Sequence, residues 1–277
     1  MRTHHESTSG EQTDRSLRPG AMSEAVHTVT GMKAERDHEA PADAPVGAPT
    51  WTRVIGVFDL ETTGVDVASD RIVTAHVGLL DAKGAVILAR DWIADPGIEI
   101  PESAAAIHGV TTAHARAVGA PASDVVEQIV DVLRSLLDAG IPVVAYNAAY
   151  DFSLLAAESI RHGITPLRDP APVIDPLIID KTYDRYRRGK RTLAAVAEHY
   201  AVRLDDAHQA SADAVAAGRI AQALAERFAG LLPPRVEELH TRQIAWARAQ
   251  AASLTEYFIR IGRLDPEEHL DGGWPVR

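Results

Sequence analysis

Apolar residues recur along this chain with two different periods. The stretch Val54-Ile55-Gly56-Val57-Phe58-Asp59-Leu60-Glu61-Thr62-Thr63-Gly64 is apolar almost without a break and suits a buried strand ending in a turn. Residues 71–80 alternate as a second strand. Asp81-Ala82-Lys83-Gly84 is a turn signal, and residues 85–92 follow as a third strand, so the first three form an antiparallel meander. Pro96-Gly97 and Pro101 interrupt the chain before a short helix expected over 103–108.

The period then changes. Val125, Val126, Ile129, Val132, Leu133, Leu136 and Leu137 fall on one face of a helix, with Ser123 as its expected N-cap and Gly140 as its stop. Residues 142–146 are a short apolar run, read as a buried parallel strand. A helix through Leu154, Leu155 and Ile160 ends at Gly163, and 172–175 supply a fifth strand. After a further short helix come a helix over about 192–200 and a long Ala-rich helix that the segment 208–213 opens and that runs to about Phe228, with Ser211 as its N-cap candidate. A last helix begins at Pro233-Pro234, and the segment from Asp265 reads as irregular. The pattern predicts an α/β fold: a mixed five-stranded sheet, an antiparallel meander plus two parallel strands, flanked by helices.

Composition adds boundaries to this picture. Residues 1–50 lack apolar periodicity and are expected to be a disordered tail; Met22 and Met32 within it offer later starts. Residues 51–230 form the main domain, and 231–277 a C-terminal helical extension and tail, whose helix either docks a partner or covers the core. There are no cysteines, which excludes disulfides, thiolate metal sites and cysteine nucleophiles and fits a cytoplasmic setting. No apolar run approaches the ~20 residues of a membrane span, so no membrane partner is expected. The formal charge of -11 means that any nucleic-acid binding must rest on a local basic strip or bound cations.

Four carboxylates stand at element ends. Asp59 and Glu61 are two apart on the first strand and share a face. Two like charges on an otherwise buried strand call for a cation. With only oxygen and imidazole ligands on offer, that cation is of the Mg²⁺ or Mn²⁺ class. Asp151 opens the helix after the fourth strand. Asp213 lies in the first turn of the Ala-rich helix, five residues after His208. Either aspartate alone also suits a helix dipole. Together they supply the parts of metal-assisted phosphodiester hydrolysis: carboxylates to hold two divalent ions, and a histidine able to take a proton from water near neutral pH.

Asp59-Leu60-Glu61-Thr62-Thr63-Gly64 resembles the first motif of the DEDDh exonucleases, the family of the epsilon proofreading subunit of bacterial DNA polymerase III. Tyr146-Asn147-Ala148-Ala149-Tyr150-Asp151 is similar to its second motif. His208-Gln209-Ala210-Ser211-Ala212-Asp213 is similar to its third, and Ile107-His108-Gly109-Val110-Thr111 to a further segment. The resemblance covers about residues 53–229. It implies a ribonuclease-H-like fold and 3′→5′ exonuclease activity that releases nucleoside monophosphates from single-stranded DNA or 3′ ends, with two Mg²⁺ or Mn²⁺ ions as cofactors. It further implies that Asp59 bridges both ions, that Glu61 and Asp213 hold the first, that Asp151 holds the second through water, and that His208 is the base. RNA remains an alternative substrate, a non-catalytic binding module an alternative role, and a replicase or repair assembly an expected partner.

Weaker expectations concern substrate contacts. Thr62, Thr63 and Gly64 either position the 3′ end or simply form a turn, and Asn147 is a further positioner of that end. His108 either touches the terminal nucleotide or packs. The segment Lys181-Thr182-Tyr183-Asp184-Arg185-Tyr186-Arg187-Arg188-Gly189-Lys190-Arg191 either holds a single-strand backbone through Arg187 and Arg188, with its tyrosines stacking on bases, or is a solvated loop.

Overall fold

Strand β1 (Val54–Thr62) is the hinge of the architecture. On one side it pairs antiparallel with β2 (Ile72–Asp81), which pairs antiparallel with β3 (Val86–Asp95). On the other side it pairs parallel with β5 (Val143–Val144), which pairs parallel with β6 (Val173–Ile174). The computed structural model describes residues 49–204 and 207–277. The expected disordered tail, with Met22 and Met32, falls outside them except for its last two residues. With a short strand β4 (Ala120–Pro121) included, the sheet order among the described residues is β4-β3-β2-β1-β5-β6.

All five expected strands are present, and a sixth joins them. Two-residue β4 (Ala120–Pro121) lies parallel to β3, opposite Ala94 and Asp95. β3 runs to Asp95 rather than 92, and its added residues are those that receive β4. Between them lie helices α1 (Glu102–His108) and α2 (Thr112–Val118). Helix α2 has no apolar stripe: it buries only Ala115, so periodicity does not reveal it.

Helices cover both faces. α3 (Ala122–Asp138) and α4 (Ala148–Arg161) pack on the face of Phe58 and Leu60. α5 (Pro176–Tyr183), α6 (Leu193–His199) and α7 (Ala210–Arg227) pack on the face of Ile55 and Val57. Strand alternation therefore does what the sequence implies, sending Phe58 and Leu60 one way and Asp59 and Glu61 the other. Gly218 lets α7 approach the sheet; a Cβ there would lie 2.5 Å from Val57 and 2.6 Å from Leu80.

Two expected N-caps are not caps. α3 starts at Ala122, straight after Pro121, so Ser123 is already helical and bonds Asp124 instead. α7 starts at Ala210, which likewise places Ser211 inside it. Thr192 does cap α6, accepting from the Ala195 N–H.

The C-terminal helix α8 (Val236–Arg260) is part of this body. The His240 ring accepts from the Val173 N–H at 3.1 Å. The Gln243 amide accepts from Asp175 N–H at 2.7 Å and donates to the Val173 carbonyl at 3.0 Å. Trp274 is buried in the core, and the Arg277 N–H donates to Ser153 Oγ at 2.8 Å. The helix thus covers the core, and the segment beyond 265 is anchored at its far end. Among the described residues, no helix is long and apolar enough to cross a membrane.

Candidate active site

The parallel strands β1, β5 and β6 end on one side of the sheet, and the first turns of α4 and α7 meet there. Open α/β sheets collect ligands at such strand ends. Asp59 and Glu61 stand on the α7 face of β1, and the first turn of α7 brings Asp213 to them. One ligand oxygen from each of the three lies within 4.8 Å of the others. A bulge between Glu61 and Thr62 ends the regular pairing of β1 here, a common device for re-aiming side chains. Asp151 arrives from α4; its Oδ1 accepts from the Leu60 N–H at 3.2 Å, which ties it to the same strand.

The electrostatics follow from this crowding. Burial pushes the Asp59 carboxyl well above the usual carboxylate range, and the charges of Asp151, Asp213 and Glu61 push it further. Glu61 is pushed up to about 7 by burial and then by Asp213. Asp151 is also raised by burial, with Asp175 and Glu61 adding to it; its own N–H and that of Leu60 oppose the rise. Asp213 rises through burial, held back by the His208 backbone N–H and by the charge of His208. Such a set of hard oxygen donors fits a divalent cation, which would relieve the repulsion. Asp59, Glu61 and Asp213 are the residues that would hold one, with Asp151 beside them.

His208 lies in the turn before α7, exposed, with a positive φ of 73°. Its backbone N–H points at the Asp213 carboxylate at 3.3–3.4 Å. The third motif therefore places its histidine at the rim, next to the carboxylate it shares a turn with.

The secondary candidates divide. Thr62 Oγ1, Tyr150 Oη and the Gly64 carbonyl form a triangle with sides of 2.6–2.7 Å. Burial pushes the Tyr150 phenol up to about 12, so it stays protonated and able to donate. Thr63 faces inward, donating to Asp70 at 2.8 Å and accepting from the Arg71 N–H. Any Cβ on Gly64 would meet the Asp70 carboxylate at 2.5 Å, so this loop needs glycine there. The pKa of His108 is lowered by burial, with a hydrogen bond to the Thr62 backbone opposing; its Nδ1 accepts from Val110 N–H, and its Nε2 is buried. Asn147 begins α4 in a left-handed conformation, φ 64°.

Arg187 is committed elsewhere. Its guanidinium pairs with buried Asp180 at 2.9 Å, and Arg191 and the Tyr200 hydroxyl share that carboxylate. Its side chain is only 10% exposed, so the arginine serves the fold rather than a solvent-facing strip. Tyr183 packs against Trp246 and Phe228. Arg188 and Tyr186 are exposed, Tyr186 at 90%, as are Lys181, Arg185 and Lys190.

Sequence reasoning missed Asp175. It is buried at the end of β6 and accepts from the Asn147, Ala148 and Leu177 N–H groups at 2.9–3.1 Å. Burial pushes it up to about 6 against those three bonds. Its trace in the sequence is slight: an acid directly after the apolar pair Val173-Ile174.

The family model RNase_T, described as Exonuclease, matches residues 57–221. The PolC-type DNA polymerase III of Streptococcus agalactiae is 29% identical over 165 residues, 59% of this chain and 10% of that protein. The PolC-type enzyme of Streptococcus pyogenes serotype M5 is 28% identical over 203 residues, 72% of this chain and 13% of its own length. This chain thus spans about a tenth of the length of the PolC-type relatives it matches. E. coli Exonuclease I bound to a dT13 oligonucleotide superposes with a TM-score of 0.54 at 19% identity, covering 63% of this chain and 41% of that one. A 3′-exonuclease described in 3′-end recognition of the histone mRNA stem-loop reaches 0.54 at 12% identity, covering 74% and 73%. Those structures share the fold, and the family match carries the assignment. The chain belongs to the RNase_T exonuclease family, the 3′→5′ exonucleases of DEDD type.

Proposed function

We propose that this protein is a metal-dependent 3′→5′ exonuclease that removes nucleoside monophosphates from the 3′ end of single-stranded DNA. The observation that carries the reading is the convergence of Asp59, Glu61 and Asp213 within 4.8 Å, with Asp151 tied to the same strand and His208 at the rim. Asp59, Glu61, Asp213 and Asp151 would hold two Mg²⁺ or Mn²⁺ ions. When bound, these ions supply Lewis acidity and cancel charge on the scissile phosphate.

The protein's own groups do the rest. His208 takes the proton of the attacking water, and its exposed position lets it reach a water at the cluster's open side. Asp213 faces the turn that carries His208. Asp151, fixed by the Leu60 N–H, keeps its carboxylate at the end of β1. The hydroxyls of Thr62 and Tyr150, and the His108 ring, border the terminal nucleotide. Arg188 and Tyr186 receive the strand further back, one by charge and the other by stacking.

A place in replication or repair, as part of or beside a replicase, rests on the likeness to PolC-type polymerases; a cytoplasmic setting goes with it. RNA is the alternative substrate, supported by the fold shared with the histone-mRNA exonuclease. The deciding experiment is digestion of 3′-labelled and 5′-labelled DNA and RNA oligomers with Mg²⁺, Mn²⁺ or EDTA, using Asp59→Ala as control. Loss of the 3′ label first, only with metal and only in the parent protein, supports the reading. Preference for RNA would replace the substrate. Inactivity on every 3′ end with Mn²⁺ would overturn the enzyme assignment.

A further inference from the structure

α4 starts in an unusual way. Asn147 is left-handed, a conformation that asparagine tolerates better than most residues with a side chain. Its side chain makes no capping bond, so the free N–H groups of the first turn need another acceptor. The acceptor comes from β6: Asp175 Oδ1 takes the Asn147 N–H at 3.1 Å, and Oδ2 takes the Ala148 N–H at 3.0 Å. Asp151 lies three residues after Ala148, one turn along the same helix face. Asp175 is itself held from behind, because its N–H donates to Gln243 of α8 at 2.7 Å. Both Asp175 and Gln243 are buried, at 2% and 0% exposure. A continuous line of bonds therefore runs from the C-terminal helix to the turn that presents Asp151.

We propose that Asp175, held by Gln243, is a positioning residue for Asp151 and so makes the C-terminal helix part of the metal site's support. The inference rests on the reading of Asp151 as a ligand. Carboxylates that orient metal ligands typically affect metal affinity or rate by 10–100-fold. The line also gives the C-terminal helix a role in the site, although it lies beyond the span of the family model.

Asp175→Asn is the sharpest probe. It keeps volume and an oxygen for Asn147 and Leu177, but turns an amide NH₂ toward the Ala148 N–H. Mn²⁺ affinity measured by titration calorimetry should fall roughly tenfold or more, and kcat with it, while KM for a DNA oligomer changes little. Gln243→Ala should shift both in the same direction and by less, and it carries the test if Asp175→Asn does not fold. The double variant with Asp151→Asn separates positioning from bulk stability. If Asp175 acts through Asp151, Asp175→Asn adds no further loss of Mn²⁺ affinity in that background. Lowered melting temperatures with unchanged Mn²⁺ affinity and kcat would overturn the proposal, as would a full additional loss in the double variant. If Asp151→Asn alone leaves Mn²⁺ affinity intact, the ligand assignment falls first and this inference falls with it.

Discussion

Stripping divalent ions should turn the acidic cluster into a pH-dependent weak point. Glu61 is the best-defined member, raised from its ordinary 4.5 to about 7 by burial and by Asp213. The sign is that of a carboxyl that binds its proton more tightly when folded. At pH below 4.5 both folded and unfolded chains are protonated, and nothing is lost. As pH climbs toward 7 the unfolded chain ionises freely while the folded one resists, so stability falls across that window. At about 1.4 kcal/mol per pH unit the full shift would amount to about 3 kcal/mol. Glu61 is only partly buried, and solvent screening reduces this to roughly 1–2 kcal/mol.

Denaturant unfolding of the parent and of Glu61→Gln in EDTA, at steps from pH 4.5 to about 7, isolates the effect. The parent should lose roughly 1–2 kcal/mol relative to the variant as pH rises. Excess Mn²⁺ should reverse the order, because the ligated carboxylate now stabilises the fold by mass action. A parent–variant difference in EDTA that stays flat, or that favours the parent more as pH rises, would refute the electrostatic reasoning.

Other outcomes follow from single residues. His208→Ala should lower the exonuclease rate roughly 10²–10⁴-fold with an unchanged melting temperature, since the side chain is exposed; labelled-oligomer kinetics and calorimetry read the two. Arg188→Glu should weaken single-strand binding and flatten its salt dependence, measured by fluorescence anisotropy against salt. Arg187→Ala should instead destabilise the fold by about 3 kcal/mol in urea melts, because it leaves buried Asp180 short of a partner. Gly218→Val should cost about 1–3 kcal/mol in the same assay by driving α7 off Val57 and Leu80, and should lower activity by displacing Asp213.

The legible parts of this molecule are those whose signal is local. β1 announces itself as a strand, and its two carboxylates announce a shared face. The apolar stripe of α3 marks that helix to within three residues of its start and one of its end. What was hidden depends on partners distant in the chain. Arg187 looks like a free surface cation until Asp180, seven residues earlier, folds beneath it. Asp175 reads as an ordinary strand end because its partners at 147 and 148 precede it by nearly thirty residues. α2 and β4 bury too little to leave any periodic trace. Ser123 and Ser211 fail as caps because their helices begin two residues sooner than the hydroxyl suggests.

The family match stops at residue 221, yet the sheet does not end there in a physical sense. Its last strand, β6, has β5 on one side and, among the described residues, the side chains of His240 and Gln243 on the other. An amide and an imidazole stand in for a missing neighbour strand. A chain cut after 230 would keep every motif residue and lose that stand-in, baring backbone groups that recruit whatever strand is near. Self-association, rather than a smaller working nuclease, is the expected product of trimming to the motif boundary.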